Sequence, residues 1–269
     1  MYIVFYTIRL QLWIVFKYLH MKENPHMAIR SYIYEIVTSK GWYMVNSTGV
    51  FDFNTSVAQL GEYLFLPPER VKQALTNAIT PECLSQVVQD IGGKVTRTPL
   101  LQALTREGIP PHLWTEGGEE WQRTKIIKSG ADTYVPENRC HIYSSDKLHG
   151  LGPILSEIGK DKKNRRVIIV DDKWSNIEKI KQLANEYGSS GIEMVDYHMK
   201  LNDPQADATA FFEWLLKQKY EVHERGQEFE LILDFDGVVI NTDEAIQGKG
   251  VDALVRLSSQ GKQGKIEDL

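Results

Sequence analysis

The spacing of apolar and polar positions changes character twice along the chain. The opening stretch, MYIVFYTIRLQLWIVFKYLH, is almost continuously apolar and is interrupted by Arg9, Gln11 and Lys17. From Met27 to Gly93 apolar residues recur at helical intervals. Ile29, Tyr32, Ile33, Ile36 and Val37 predict a helix over Ala28–Lys40 ended by Gly41. Three further short helices are expected over Val57–Leu64, Pro68–Ala78 and Pro81–Ile91, two of them opening on Pro. Gly92-Gly93 then breaks the chain.

Beyond that break, helices alternate with short apolar runs. Helices are expected over Pro99–Glu107, Glu119–Ser129, Gly152–Ile158, Ser175–Tyr187 and Ala206–Gln218. Strands are expected over His112–Trp114, Cys140–Tyr143, Arg166–Val170, Gly191–Tyr197 and Phe229–Leu233. Uninterrupted apolar strands separated by helices predict a parallel sheet covered on both faces. The chain divides accordingly into an apolar segment over 1–26, a small helical cap over 27–94 and an α/β, Rossmann-like core over 95–269.

In such a sheet the ligand crevice lies beyond the carboxyl ends of the strands. The polar residues found there are Thr115, Lys147 just past its strand, Asp171 and Asp172, then Asp234 and Asp236. Four carboxylates on one edge would repel one another and raise each other's pKa. A Mg²⁺ ion relieves that repulsion, because it takes oxygen ligands from one or two carboxylates and from substrate phosphate. A hydroxyl and a lysine alongside suit a phosphoryl group, whose oxygens need donors and positive charge.

Composition narrows the partners. Over 269 residues, 42% hydrophobic and 25% charged content is ordinary for a globular chain, and a net charge of −5 offers no general field for nucleic acid. The basic run Lys160–Arg166 reads as a solvated turn before a buried strand. Cys83 and Cys140 have neither metal-type spacing nor a disulfide framework, which suits a reducing, cytoplasmic setting. The first twenty residues leave three readings open: a helix touching a membrane, a helix packed on the domain, or an extension upstream of a start at Met21 or Met27. Their length approaches the ~20 residues of a span. Two internal cations would each cost about 2.5–3.5 kcal/mol near a membrane centre.

The stretch Leu231-Ile232-Leu233-Asp234-Phe235-Asp236-Gly237-Val238 resembles the first motif of haloacid-dehalogenase-like phosphatases, an apolar strand followed by Asp-x-Asp-Gly. Trp114-Thr115-Glu116-Gly117-Gly118 is similar to their second motif, Lys147 to the third-motif lysine, and Val167–Asp172 with Asn176 to the fourth. The order differs from the family's, because the Asp-x-Asp motif comes last instead of first. Phe51-Asp52-Phe53-Asn54 lacks the second carboxylate and the glycine. A circular permutation would account for this, with the last strand inserted in the middle of the sheet.

The resemblance implies Asp234 as nucleophile and Asp236 as general acid and base. It implies Thr115 and Lys147 on the phosphoryl oxygens, and Mg²⁺ held by Asp234, the Asp236 backbone carbonyl and Asp171 or Asp172. The expected activity is hydrolysis of a small phosphorylated metabolite. Ser144 is an alternative to Thr115 as phosphate contact. A catalytically silent, or receiver-like, regulatory protein is the alternative function.

Overall fold

The computed structural model describes residues 33, 53–81, 100–144, 146–160, 164–187, 191–199 and 204–266. The apolar opening segment lies outside these residues, as do the helices expected over 28–40 and 81–91, save Ile33 and Pro81. No helix among the described residues is long and apolar enough to cross a membrane.

In chain order the helices are α1 (Phe53–Leu64), α2 (Pro68–Ala78), α3 (Leu100–Arg106), α4 (Glu119–Ser129), α5 (Lys147–Ile158), α6 (Trp174–Tyr187), α7 (Pro204–Glu224), α8 (Thr242–Ala245) and α9 (Val251–Ile266). The strands are β1 (His112–Glu116), β2 (Cys140–Tyr143), β3 (Arg165–Asp171), β4 (Ile192–His198) and β5 (Glu228–Asp234). They form one sheet in the order β2-β1-β5-β3-β4, with every pairing parallel. The protein is thus α/β with a Rossmann-like parallel sheet.

Apolarity explains why the last strand lies in the middle. Leu231, Ile232 and Leu233 of β5 are fully buried, as are Val167 to Val170 of β3. Burying each such side chain is worth about 1.5–3 kcal/mol, and only an interior strand buries both of its faces. The connections to β3 and β4 move one way across the sheet, and the return to β5 moves the other way. Crossovers of constant hand then put the intervening helices on opposite faces. Leu151, Ile154 and Leu155 of α5 and Ile177 and Ile180 of α6 accordingly pack in one cluster with Val167, Ile169 and Ile232. Tyr197, the register partner of Val170, meets Phe211 and Trp214 of α7 with ring centroids 4.8 and 4.7 Å apart.

The expected strands appear in place, each within two residues of its predicted ends, and the helices differ more. Helix α5 begins at Lys147, five residues before the expected Gly152, so that Pro153 lies inside it. Helices α8 and α9 are not among the expected helices.

The chain falls into two compact units. The larger holds the sheet and its helices over 79–245 together with Phe53. In the smaller, 54–78 and 246–266 group together. Val71, Ala74, Leu75 and Ala78 form the buried stripe of α2 in that unit, and Val251, Leu254 and Val255 are the buried residues of α9.

Candidate active site

Register places the two acidic strand ends side by side. Val170 of β3 pairs with Leu233 of β5, so Asp171 and Asp234 follow as neighbours at the carboxyl edge. Both are buried. One carboxylate oxygen from each of Asp171, Asp172 and Asp234 lies within 4.8 Å of the others, close enough for a shared cation.

Lys147 is wedged into this group. Its Nζ lies 2.6 Å from Asp234 Oδ2 and 2.8 Å from Asp171 Oδ2, and 4.6 Å from the centroid of the Trp114 ring. Burial alone would lower the pKa of this lysine, but the charges of Asp234 and Asp171 hold it above its ordinary value. Its position is set by the start of α5. The preceding Asp146 is left-handed, with φ 46°, and makes no side-chain cap. Instead the Lys147 backbone N–H donates to Glu116 Oε2 at 3.3 Å, so β1 caps the helix that carries the lysine.

The adjacent carboxylates Asp171 and Asp172 differ sharply. Asp171 Oδ1 accepts the Lys173 backbone N–H at 2.8 Å, and the Asn176 amide donates to both Asp171 oxygens at 3.1 and 3.0 Å. Counting Lys147, Asp171 is fully supplied with donors. Asp172 Oδ1 is buried and has no hydrogen-bond partner. Burial and the charge of Asp171 push the Asp172 carboxyl up. Asp234 is driven well above the carboxylate range, first by burial and then by Asp171, with Lys147 only partly offsetting them.

Asp236 faces another set of partners. Lys125 Nζ donates to its two oxygens at 2.6 and 2.5 Å and the Thr242 hydroxyl to Oδ1 at 2.5 Å. The Thr115 hydroxyl and the Gln122 amide donate to Oδ2 at 3.3 and 3.4 Å. Burial would raise this carboxyl, but Lys125 and these donors carry it below its ordinary value. Asp236 was expected among the metal-binding residues; its carboxylate is committed to these donors and lies outside the three-carboxylate group, which leaves only its backbone carbonyl for that role.

The structure therefore brings together all six residues picked from the strand ends. Thr115 is buried and donates to Asp236, whereas Ser144, the alternative phosphate contact, is exposed at the end of β2. Sequence reasoning missed Lys125, Gln122, Thr242 and Glu116. A signal for the first two existed: Trp121, Gln122, Lys125, Ile126 and Ser129 make one buried stripe of α4, so a lysine and a glutamine occupy core-facing positions. Gly117, with φ 141°, leaves the room Gln122 needs, because a Cβ there would come within 2.6 Å of the Gln122 amide nitrogen.

Formally, the carboxylates of Asp171, Asp172, Asp234 and Asp236 and the ammonium groups of Lys125 and Lys147 leave a charge of −2, the complement of one divalent ion. The chain matches no protein-family model, no curated protein and no solved structure, so the site's own chemistry carries the functional reading.

Proposed function

We propose that the protein is a Mg²⁺-dependent phosphoric monoester hydrolase of the haloacid-dehalogenase-like kind, with circularly permuted motifs and Asp234 as nucleophile. The observation that carries this reading is the meeting of Asp234 with Asp171, Asp172 and Lys147, although β5 comes last among the strands.

The donor set fits Mg²⁺. All the candidate ligands are oxygens, the formal charge calls for a divalent cation, and the orphaned Asp172 oxygen points to a missing partner. Asp172 and Asp234 would hold the ion with the Asp236 backbone carbonyl, and Asp171 would stand behind them, tied to Asn176 and Lys147. Bound there, Mg²⁺ would draw charge from the phosphoryl oxygens and favour the ionised form of Asp234.

An Asp234 oxygen attacks phosphorus, and the bond from phosphorus to the leaving oxygen breaks. Asp236, held as a carboxylate by Lys125 and its other donors before substrate enters, takes up the proton of a substrate bound as its monoanion and passes it to the leaving oxygen. The resulting aspartyl-phosphate is then attacked by water, whose proton returns to Asp236. Phosphate departs and Asp234 is restored. Lys147 offsets the charge around Asp234 throughout.

Hydrolysis of p-nitrophenyl phosphate with Mg²⁺ tests the assignment. Chelation should abolish turnover, and Asp234→Asn should lower it at least ~1000-fold. A rate unchanged in Asp234→Asn would remove the nucleophile from this scheme.

A further inference from the structure

The buried lysine of α4 has no part in the scheme above. Lys125 keeps 3% of its side chain exposed, whereas Asp236, which it contacts through both oxygens, keeps 35%. Substrate can therefore reach Asp236 but not Lys125 behind it. The lysine is built into the wall of the site, with its ammonium 5.8 Å from the ring centroids of both Trp121 and Phe235. The Thr242 hydroxyl holds Asp236 Oδ1, and Gln122 and Thr115 approach Oδ2. A carboxylate gripped in this way has one orientation. Freed from the lysine, it could turn toward Asp234, two residues earlier, and the neighbouring Asp171 and Asp172, where it would compete as a ligand instead of meeting the leaving oxygen.

We infer that Lys125 is a positioning residue of the reaction: it acts through Asp236, fixing that carboxylate toward the leaving group and away from the Asp171, Asp172 and Asp234 cluster. The inference rests on the phosphatase reading, and it assigns Lys125 no contact with substrate. Its consequence falls on the leaving group. An alkoxide leaving group needs the proton that a correctly placed Asp236 supplies, whereas p-nitrophenolate departs without it. Loss of Lys125 should therefore discriminate between phosphate esters according to the acidity of the alcohol released.

The test compares p-nitrophenyl phosphate with a simple alkyl phosphate in the wild type, Lys125→Met, Lys125→Arg and Asp236→Asn, and in the Lys125→Met/Asp236→Asn double variant. Lys125→Met should lower kcat about 100-fold on the alkyl ester but less than about 3-fold on the aryl ester, with KM little changed. Lys125→Arg should recover part of the alkyl activity. In the Asp236→Asn background, Lys125→Met should add less than about a 2-fold further loss. Equal losses on both esters, or losses that simply multiply with Asp236→Asn, would overturn the inference. Should Lys125→Met fail to fold, Lys125→Gln carries the same comparison, because a neutral amide cannot supply the charge and the donors that the ammonium gives to both oxygens. A crystal structure of the folded variant gives a readout independent of turnover: Asp236 should leave its wild-type position, and an unmoved carboxylate overturns the inference. A wild type inert toward both esters would sink the phosphatase reading instead and leave that structural readout intact.

Discussion

Gly237 and Asp172 touch although one follows β5 and the other follows β3. A Cβ at Gly237 would overlap the Asp172 carboxyl group, and the Gly237 backbone sits at φ 87°, where L side chains are strained. The turn after β5 thus leaves the space that the Asp172 carboxyl group occupies beside Asp171 and Asp234. Gly237→Ala should destabilise the metal-free protein by about 1–3 kcal/mol and displace Asp172. Urea unfolding with chelator and with excess Mg²⁺ reads both effects, and a variant with wild-type stability and a wild-type Mg²⁺ response would contradict this contact.

A divalent ion should stabilise the fold, by about 2.7 kcal/mol when present at a hundred times its dissociation constant. The increment should grow with pH. Folding raises the carboxyls of Asp234 and Asp172 above their ordinary value of 3.8, so the metal-free native state holds these protons more tightly than the unfolded chain does. Their contribution to stability is present below about pH 4 and is lost as pH rises through the folded values, where both charges stand exposed to one another. Bound Mg²⁺ would compensate at that end. Thermal unfolding with and without Mg²⁺ at pH 5 and pH 8 should show the larger shift at pH 8, and equal shifts would argue against binding at these carboxylates.

The two neighbouring aspartates should separate in mutagenesis. Asp171→Asn disturbs a carboxylate tied to Lys147, Asn176 and the Lys173 N–H, and should cost about 3 kcal/mol in the absence of metal. Asp172→Asn removes a charge from a carboxylate with an unpartnered oxygen, and should leave metal-free stability nearly unchanged while abolishing the Mg²⁺ increment. Urea titration of both variants, with and without Mg²⁺, decides the matter. The reverse pattern would exchange their roles.

The strand-end chemistry was legible because a buried parallel strand is a run of Val, Ile and Leu that stops at a polar residue. Val167–Asp172 and Leu231–Asp236 both have that form, and the fold then brings their ends together. Lys147 was found for its type and place, but the start of its helix was not, since the cap comes from Glu116 on another strand and leaves no local signature. Lys125 and Gln122 escaped because lysine and glutamine on a helix ordinarily face water, and it is tertiary partners that explain their burial, Asp236 for the lysine and the Glu116 carbonyl together with Asp236 for the glutamine. In helix α9 the buried Val251, Leu254 and Val255 keep helical spacing, but the polar and glycine-containing stretch that follows them carries no such stripe.

Lys147→Met should be the most damaging single change at the site. It would leave Asp234 and Asp171 buried without their shared cation, at a cost of about 3–5 kcal/mol near neutral pH. The penalty should shrink on acidification, because a protonated Asp234 no longer needs the lysine. Equilibrium unfolding of the variant at pH 7 and pH 5 measures this, and a constant penalty would argue against the coupling.

A second pH response should originate at the opposite edge of the sheet. His141 on β2 lies 2.9 Å from His112 on β1, ring nitrogen to ring nitrogen. Burial, the charge of His112 and the charge of Arg139 lower His141 from 6.5 to about 4. The unfolded chain therefore binds this proton before the native state does, and stability should fall as pH drops from about 6.5 toward 4. His141→Gln should flatten that decline in urea titrations, whereas an identical slope would show that another group controls it.

The placement of β5 also bears on how the protein is made. Strands β1 and β2 on one side and β3 and β4 on the other leave the ribosome before the strand that joins them. Until Glu228–Asp234 arrives, β1 and β3 each present an open, apolar edge, the type of surface on which chains pair wrongly with one another. A chain cut short within α7 would keep both edges bare, so truncated products should aggregate instead of surviving as inactive folded domains.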